Sequence, residues 1–197
     1  PGGRGAQARE RRVAGAVAMS TRSYEIRLRP LKAADLDRVV ELERELFGRG
    51  AWTYGMLADE LAGFGRWFVA AEPVRLYAAG PQPLVGYAGL WFDGDVTQVM
   101  TIGVDPAFQH QGVGSVLLEA LVERSRELGA SAVLLEVRVD NDAALGLYAK
   151  HGFEQLGIRK RYYQPEDVDA YTMRLELDAP PPRDEPDYGT ASADVVA

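Results

Sequence analysis

The chain has no cysteine and only two histidines, His110 and His151. Without cysteine there can be no disulfide framework, no thiolate metal site and no cysteine nucleophile. Neither HExxH nor GxSxG occurs, which argues against zinc hydrolysis and against a serine triad, and no metal is expected. No apolar run reaches the roughly 18 to 20 residues that cross a bilayer, so no membrane partner is expected either. The stretch Val13 to Met19 behind Arg11 and Arg12 is short and mostly Ala, Val and Gly. That is a poor export signal, and the expected compartment is the cytoplasm.

What is present is ordinary for a globular protein: 197 residues, 47% hydrophobic and 26% charged, with a net charge of -7. The charge is unevenly placed. Residues 1–19 hold four Arg and one Glu, and residues 178–197 hold five acids and one Arg. Taking these +3 and -4 ends away leaves -6 on residues 20–177. The first end has no aromatic and no large branched apolar residue other than Val. The last carries Pro180, Pro181, Pro182 and Pro186 among acids. Neither can bury enough apolar surface to offset its ordering entropy, so both are expected to be disordered around one domain at 20–177. A basic arm could touch nucleic acid, but an extended or added start ahead of Met19 explains it more simply, and no direct nucleic-acid partner is expected.

Within the core the hydrophobic period switches repeatedly between two and about three and a half. Tyr24 to Leu28 reads as a strand ended by Pro30. Leu36, Val39, Val40, Leu46 and Phe47 mark a helix before Gly48, and Thr53 can cap a short helix through Leu61. Trp67 to Ala71 is a strand, and Leu84 to Phe92 with Val96 to Val104 forms a hairpin about Asp93-Gly94. Val113, Leu117, Leu118, Leu121, Val122 and Leu128 make one stripe ending at Gly129. Ala132 to Val139 has the near-continuous apolar character of a buried strand. A short helix at Ala143 to Lys150 and strands near Phe153 to Arg161 and Asp169 to Leu177 complete a mixed α/β (α+β) domain. Hairpins flank the strand-helix-strand alternation, so a wholly parallel sheet is not expected.

The most informative segment runs from Thr101 to Ser115. A strand passes through Asp105-Pro106 and Gln109-His110-Gln111-Gly112-Val113-Gly114 into a helix. Such a turn aims unpaired N–H groups and the positive end of the helix dipole at one point, which suits a phosphate or pyrophosphate. Two glycines could instead merely open a helix. The Walker pattern fails for want of Gly-Lys-Ser/Thr, and the dinucleotide fingerprint fails because Leu117 stands where Gly or Ala is needed.

Gln109-x-x-Gly112-x-Gly114 after Ile102-Gly103-Val104-Asp105-Pro106 resembles the acetyl-CoA motif of the GNAT superfamily of N-acetyltransferases. Leu135-Glu136-Val137-Arg138, Asn141, Leu147-Tyr148, Gly152-Phe153, Arg159 to Tyr163 and Asp169 to Met173 further resemble its RimI type, bacterial enzymes that acetylate the N-terminus of a small-subunit ribosomal protein. Phe47 and Ala51-Trp52-Thr53 fit the same type, although Gly48-Arg49-Gly50 departs from its commonest spacing. The likeness spans most of residues 24–177. It implies about seven mostly antiparallel strands, a splayed parallel central pair and about four helices. It also implies acetyl-CoA as co-substrate. Pantetheine contacts then fall to Ile102, Gly103 and Val104, and the pyrophosphate cradle to Gln109, His110, Gln111, Gly112, Val113, Gly114 and Ser115.

Acyl transfer to an amine needs a neutral nucleophile, a proton acceptor, and a donor for the leaving thiolate. Glu136 is a charged residue inside the apolar run Val133 to Val139, an unusual place unless it faces a cleft, where burial would strengthen it as a base. A solvent-facing strand glutamate would instead pair with Arg138, two residues on and on the same side. Asn141 and Tyr148 lie two helical turns apart and share a face. Alone they read equally as a helix cap and a core aromatic. The resemblance implies that Asn141 contacts CoA and that Tyr148 donates a proton to the CoA sulfur. His110 is expected to lend its backbone N–H, and His151 to be a turn residue.

An N-terminal amine is neutral in about one molecule in ten at pH 7, against roughly one lysine in a few thousand, which eases the task of a glutamate base. The core's negative charge favours a basic peptide. The expected acceptor is the N-terminal alanine of a ribosomal protein, with Trp52, Arg159, Tyr162 and Tyr163 as peptide contacts and a monomer or weak dimer as the working form. Transfer to lysines or to a small-molecule amine is the alternative within enzymes. A non-catalytic CoA-binding regulatory module is the alternative outside them.

Overall fold

A computed structural model of the chain describes residues 24–74, 76 and 80–178, so the terminal segments expected to be disordered, 1–19 and all but the first residue of 178–197, lie outside the described residues. In chain order the elements are β1 (Ile26–Pro30), α1 (Leu36–Phe47), α2 (Tyr54–Ala62), β2 (Arg66–Pro73), β3 (Gly86–Phe92), β4 (Thr97–Val104), α3 (Val113–Glu127), β5 (Ala132–Arg138), α4 (Asp142–Lys150), β6 (Glu154–Tyr163) and β7 (Val168–Glu176). The strands form one seven-stranded sheet in the order β1-β2-β3-β4-β5-β7-β6. Every neighbouring pair is antiparallel except β4 and β5, which are parallel.

Apolar stripes decide which face each helix covers. Leu36, Val39, Val40 and Leu42 of α1 are buried with Leu57, Phe68 and Tyr87 on one side of the sheet. Leu117, Leu118, Leu121 and Val122 of α3 are buried on the other, with Leu90, Val133, Leu135, Val137 and Tyr148. Burying each such side chain contributes about 2 kcal/mol, so these two clusters fix helices to both faces. Local signals set the ends: Thr53 Oγ1 accepts the Met56 N–H at 3.3 Å to start α2, and Gly129, with φ 74°, turns the chain out of α3.

Two features position the site. Between β3 and β4 the register runs Gly89↔Thr101 and then Leu90↔Val99, so Met100 is an extra residue that bends β4. Between β4 and β5 only Thr97↔Val133 and Gln98↔Leu134 are paired, after which the strands part. The splayed central pair expected from the family resemblance is therefore present. From Val99 to Val104 the β5-facing edge of β4 has no strand partner among the described residues.

Candidate active site

The parting of β4 and β5 opens a cavity of about 490 Å³, floored by residues of both strands and walled by α1, α4 and the end of β6. Ile102 on β4, Glu136 on β5, Asn141 and Tyr148 at α4, and Trp52 and Tyr163 all line it. Residues far apart in the chain thus meet in one cleft. Gly103 has another task. It is buried, and a Cβ there would overlap the Tyr87 ring, so this glycine makes room for a core aromatic.

At one end of the unpaired β4 edge lies the glycine-containing turn. Asp105 caps a short 3-10 turn by accepting the Ala107 N–H at 2.9 Å, and is held to α1 by Arg38 at 2.7 Å. Left-handed residues His110 (φ 58°) and Gly112 (φ 86°) flank Gln111, an alternation that turns successive backbone N–H groups toward one side. Gly112 is required for this conformation, which residues with a Cβ rarely adopt. Helix α3 has no side-chain cap, and its first bond is from Val116 N–H to Gly112 O at 3.1 Å. Among the described residues the N–H groups of His110 to Ser115 have no acceptor.

The side chains of this turn serve the turn itself. Gln109 Nε2 donates to Val104 O at 3.1 Å and Gln111 Nε2 to Ala107 O at 2.9 Å, while Val113 is buried in the core. A Cβ at Gly114 would stand 3.4 Å from Leu147, an ordinary contact, whereas nothing lies within 4 Å of one at Gly112. An anion here would be held by backbone N–H groups at the positive end of α3.

Glu136 does not pair with Arg138. Its Oε1 accepts from Arg159 Nη1 at 2.8 Å and its Oε2 from Gln98 Nε2 at 2.7 Å. Arg138 instead makes two 3.0 Å bonds to Asp140, which the turn after β5 brings within bidentate reach. The Glu136 side chain is 11% exposed, held in the cavity wall by these two partners. Arg159 lies across β7 with its guanidinium 4.3 Å over the Tyr162 ring. Neither Arg159 nor Tyr162 lines the cavity, and Tyr162 is at the surface. Tyr163 does line it, donating its hydroxyl to Glu136 O at 3.1 Å, and burial pushes that phenol up to about 12.

Asn141 caps α4, its Oδ1 accepting the Ala144 N–H at 3.1 Å, and its amide NH2 has no acceptor among the described residues. Tyr148 packs its ring 5.7 Å from Phe153, and burial raises its hydroxyl well above the ordinary tyrosine value. That hydroxyl has no hydrogen-bond partner among the described residues. His151 ends α4, with Nδ1 2.9 Å from Leu147 O and Nε2 3.3 Å from Glu119 Oε1, and ties α4 to α3.

Sequence reasoning missed Glu43. It lines the same cavity on α1, is 2% exposed, and accepts from Tyr87 Oη at 2.6 Å, Thr101 Oγ1 at 3.1 Å and Trp52 N–H at 3.0 Å. The signal was available, because position 43 continues the stripe of Leu36, Val39 and Val40, where an apolar side chain belongs. Among the described residues no group of three or more His, Cys, Asp or Glu could hold a metal. No described helix is long and apolar enough to cross a membrane.

Compared with known proteins, residues 36–153 match the model of the acetyltransferase (GNAT) family. The chain is 43% identical over 155 residues to the N-alpha-acetyltransferase RimI of Mycobacterium tuberculosis, covering 76% of this chain and 92% of that protein. The crystal structure of the ribosomal-protein-S18-alanine N-acetyltransferase from Escherichia coli superposes with a TM-score of 0.66 at 28% identity, over 78% of this chain and 95% of that one. Arabidopsis thaliana NAA60 in complex with acetyl-CoA shares the fold, with a TM-score of 0.69 at 19% identity over 78% of this chain and 99% of that one.

Proposed function

The chain belongs to the GNAT family of acetyltransferases, enzymes that use acetyl-CoA, and from that premise we propose that it acetylates the N-terminal alanine of a small-subunit ribosomal protein by direct attack. The observation that carries this reading is the meeting of Glu136 and Tyr148 in one cleft, beside the unpaired β4 edge and the free N–H groups of the following turn. The fit to acetyl-CoA rests on that edge and turn. The uncapped start of α3 suits a pyrophosphate, and the open edge at Ile102 and Val104 suits an extended amide chain that adds to the sheet like a strand. When bound, acetyl-CoA supplies an activated acyl group on sulfur.

Glu136 takes the proton of the attacking amine, directly or through one water, as the N–C bond forms and the C–S bond breaks. Gln98 and Arg159 hold its two oxygens, so the carboxylate is oriented before the acceptor arrives. Tyr148 offers its unpartnered hydroxyl to the departing sulfur. Asn141 orients the cofactor arm through its amide, and Trp52 and Tyr163 shape the acceptor end. Arg159 contributes by fixing Glu136, and Tyr162 by stacking under Arg159.

The relatives named for N-terminal acetylation favour an α-amine, and so does the larger neutral fraction of such an amine near pH 7. Steady-state kinetics on the variants Glu136→Gln and Tyr148→Phe test the assignment. Each should lose about 100-fold in kcat while binding CoA as the parent does. Equal loss of CoA affinity in both would mean that they build the cofactor site and do not move protons.

A further inference from the structure

Glu43 is a buried negative charge to which the transfer steps above give no task. Its three donors, the Tyr87 and Thr101 hydroxyls and the Trp52 N–H, are all neutral. They satisfy its oxygens without cancelling its charge. The guanidinium groups beside the cavity are committed elsewhere, Arg138 to Asp140 and Arg159 to Glu136, and Glu43 has no ion-pair partner among the described residues. An uncompensated carboxylate at 2% exposure is costly, and its stripe neighbours Leu36, Val39 and Val40 show what packing alone would select there.

The same cavity wall carries both carboxylates, yet they differ. Glu136 is offset by Arg159, whereas the charge of Glu43 has no answer within the cavity. An amine acceptor arrives as an ammonium in about nine of ten molecules at pH 7. We infer that Glu43 is a specificity-determining positioning residue: its buried charge selects ammonium-bearing acceptors, and its bonds to Trp52 and Thr101 hold the α1–α2 turn and the bent strand β4 as walls of the acceptor site. This rests on the reading of the cavity as the site of an amine acceptor. Glu43 acts through its field and through the residues it anchors; Glu136 remains the group that takes the proton.

The test compares two peptides of one basic sequence, one beginning with alanine and one with propionyl in its place, which removes only the amine. Dissociation constants are measured on the protein saturated with CoA, so that no transfer occurs. Glu43→Gln keeps the size of the side chain and should weaken the alanine peptide about tenfold, the effect of one poorly screened charge, while leaving the propionyl peptide and CoA unchanged. Glu43→Asp keeps the charge and should retain the preference for the amine. Equal weakening of both peptides by Glu43→Gln, or loss of the preference in Glu43→Asp, would overturn the inference and leave Glu43 a packing residue. Failure of the parent protein to acetylate the alanine peptide would instead overturn the acceptor reading, an outcome that the peptide pair does not itself produce.

Discussion

Tyr148, the proposed proton donor, is also a core side chain. Its ring is buried against Phe153, and its hydroxyl reaches a cleft where no described group bonds it. Burial, the larger cause, and then the neighbouring Tyr163 hold the phenol above its ordinary value of about 10. A group that stays protonated remains a donor as pH rises. The alkaline side of the kcat profile should therefore show no decline from this residue below about pH 10. A decline below that point in the parent, absent from Tyr148→Phe, would contradict the assignment. Spacing put Asn141 and Tyr148 on one helix face and the family resemblance gave them their expected roles, while Glu136 stood out by its place in an apolar run. The sequence named Arg159 as a peptide contact but did not reveal its bond to Glu136, because that partner lies across β7 and strand order is settled by tertiary packing. Glu43 is legible as the one acid in the buried α1 stripe of Leu36, Val39 and Val40.

At the scale of elements, the edge strand β1 is fastened by charge as well as by its ladder. Arg29 bonds Asp35 at 2.7 Å and Glu72 at 2.7 Å, and Arg27 reaches Glu72 at 2.8 Å. The Arg29 hydrogen bonds hold Asp35 below its ordinary value. Burial alone would raise Glu72, but Arg27 and Arg29 outweigh it and hold that carboxyl low as well. A carboxyl held low in the fold and released on unfolding adds stability above its unfolded value, and that stability is lost as pH falls through the folded value. Stability should accordingly fall with acid below about pH 4, the ordinary carboxylate range. Arg29→Met should cost about 1 kcal/mol at pH 7, given partial solvent screening, and the gap in melting temperature from the parent should narrow toward pH 3. A gap unchanged across that range would assign the loss to packing. Most elements were legible because each joins a clear period to a clear end signal, as α3 does between its stripe and Gly129. The site's opening was not legible from period alone, since the bulge at Met100 and the two-residue β4–β5 contact are properties of register, which only the assembled sheet determines.

For the molecule as a whole, the sequence has no cysteine, so the proposed transfer from CoA to the amine has no cysteinyl intermediate. Among the described residues the cavity is lined by Glu43, Glu136, Asp140 and Glu166 and by one guanidinium, Arg138, with Arg159 bonded to Glu136 from outside it, within a chain of net charge -7. An excess of acid in the lining would favour the cationic acceptor proposed above. Two anchored halves, α1 and β4 on one side and β5 and α4 on the other, enclose the cavity in which the proposed reaction would take place. The central claim is transfer to an N-terminal α-amine. The direct measurement is mass spectrometric mapping of a basic peptide that begins with alanine and carries internal lysines, after incubation with the purified protein and acetyl-CoA. The expected result is one acetyl group, on the α-amine, formed far more slowly by Glu136→Gln. Acetyl on the lysines alone, or no transfer by a protein shown to bind CoA, would contradict it.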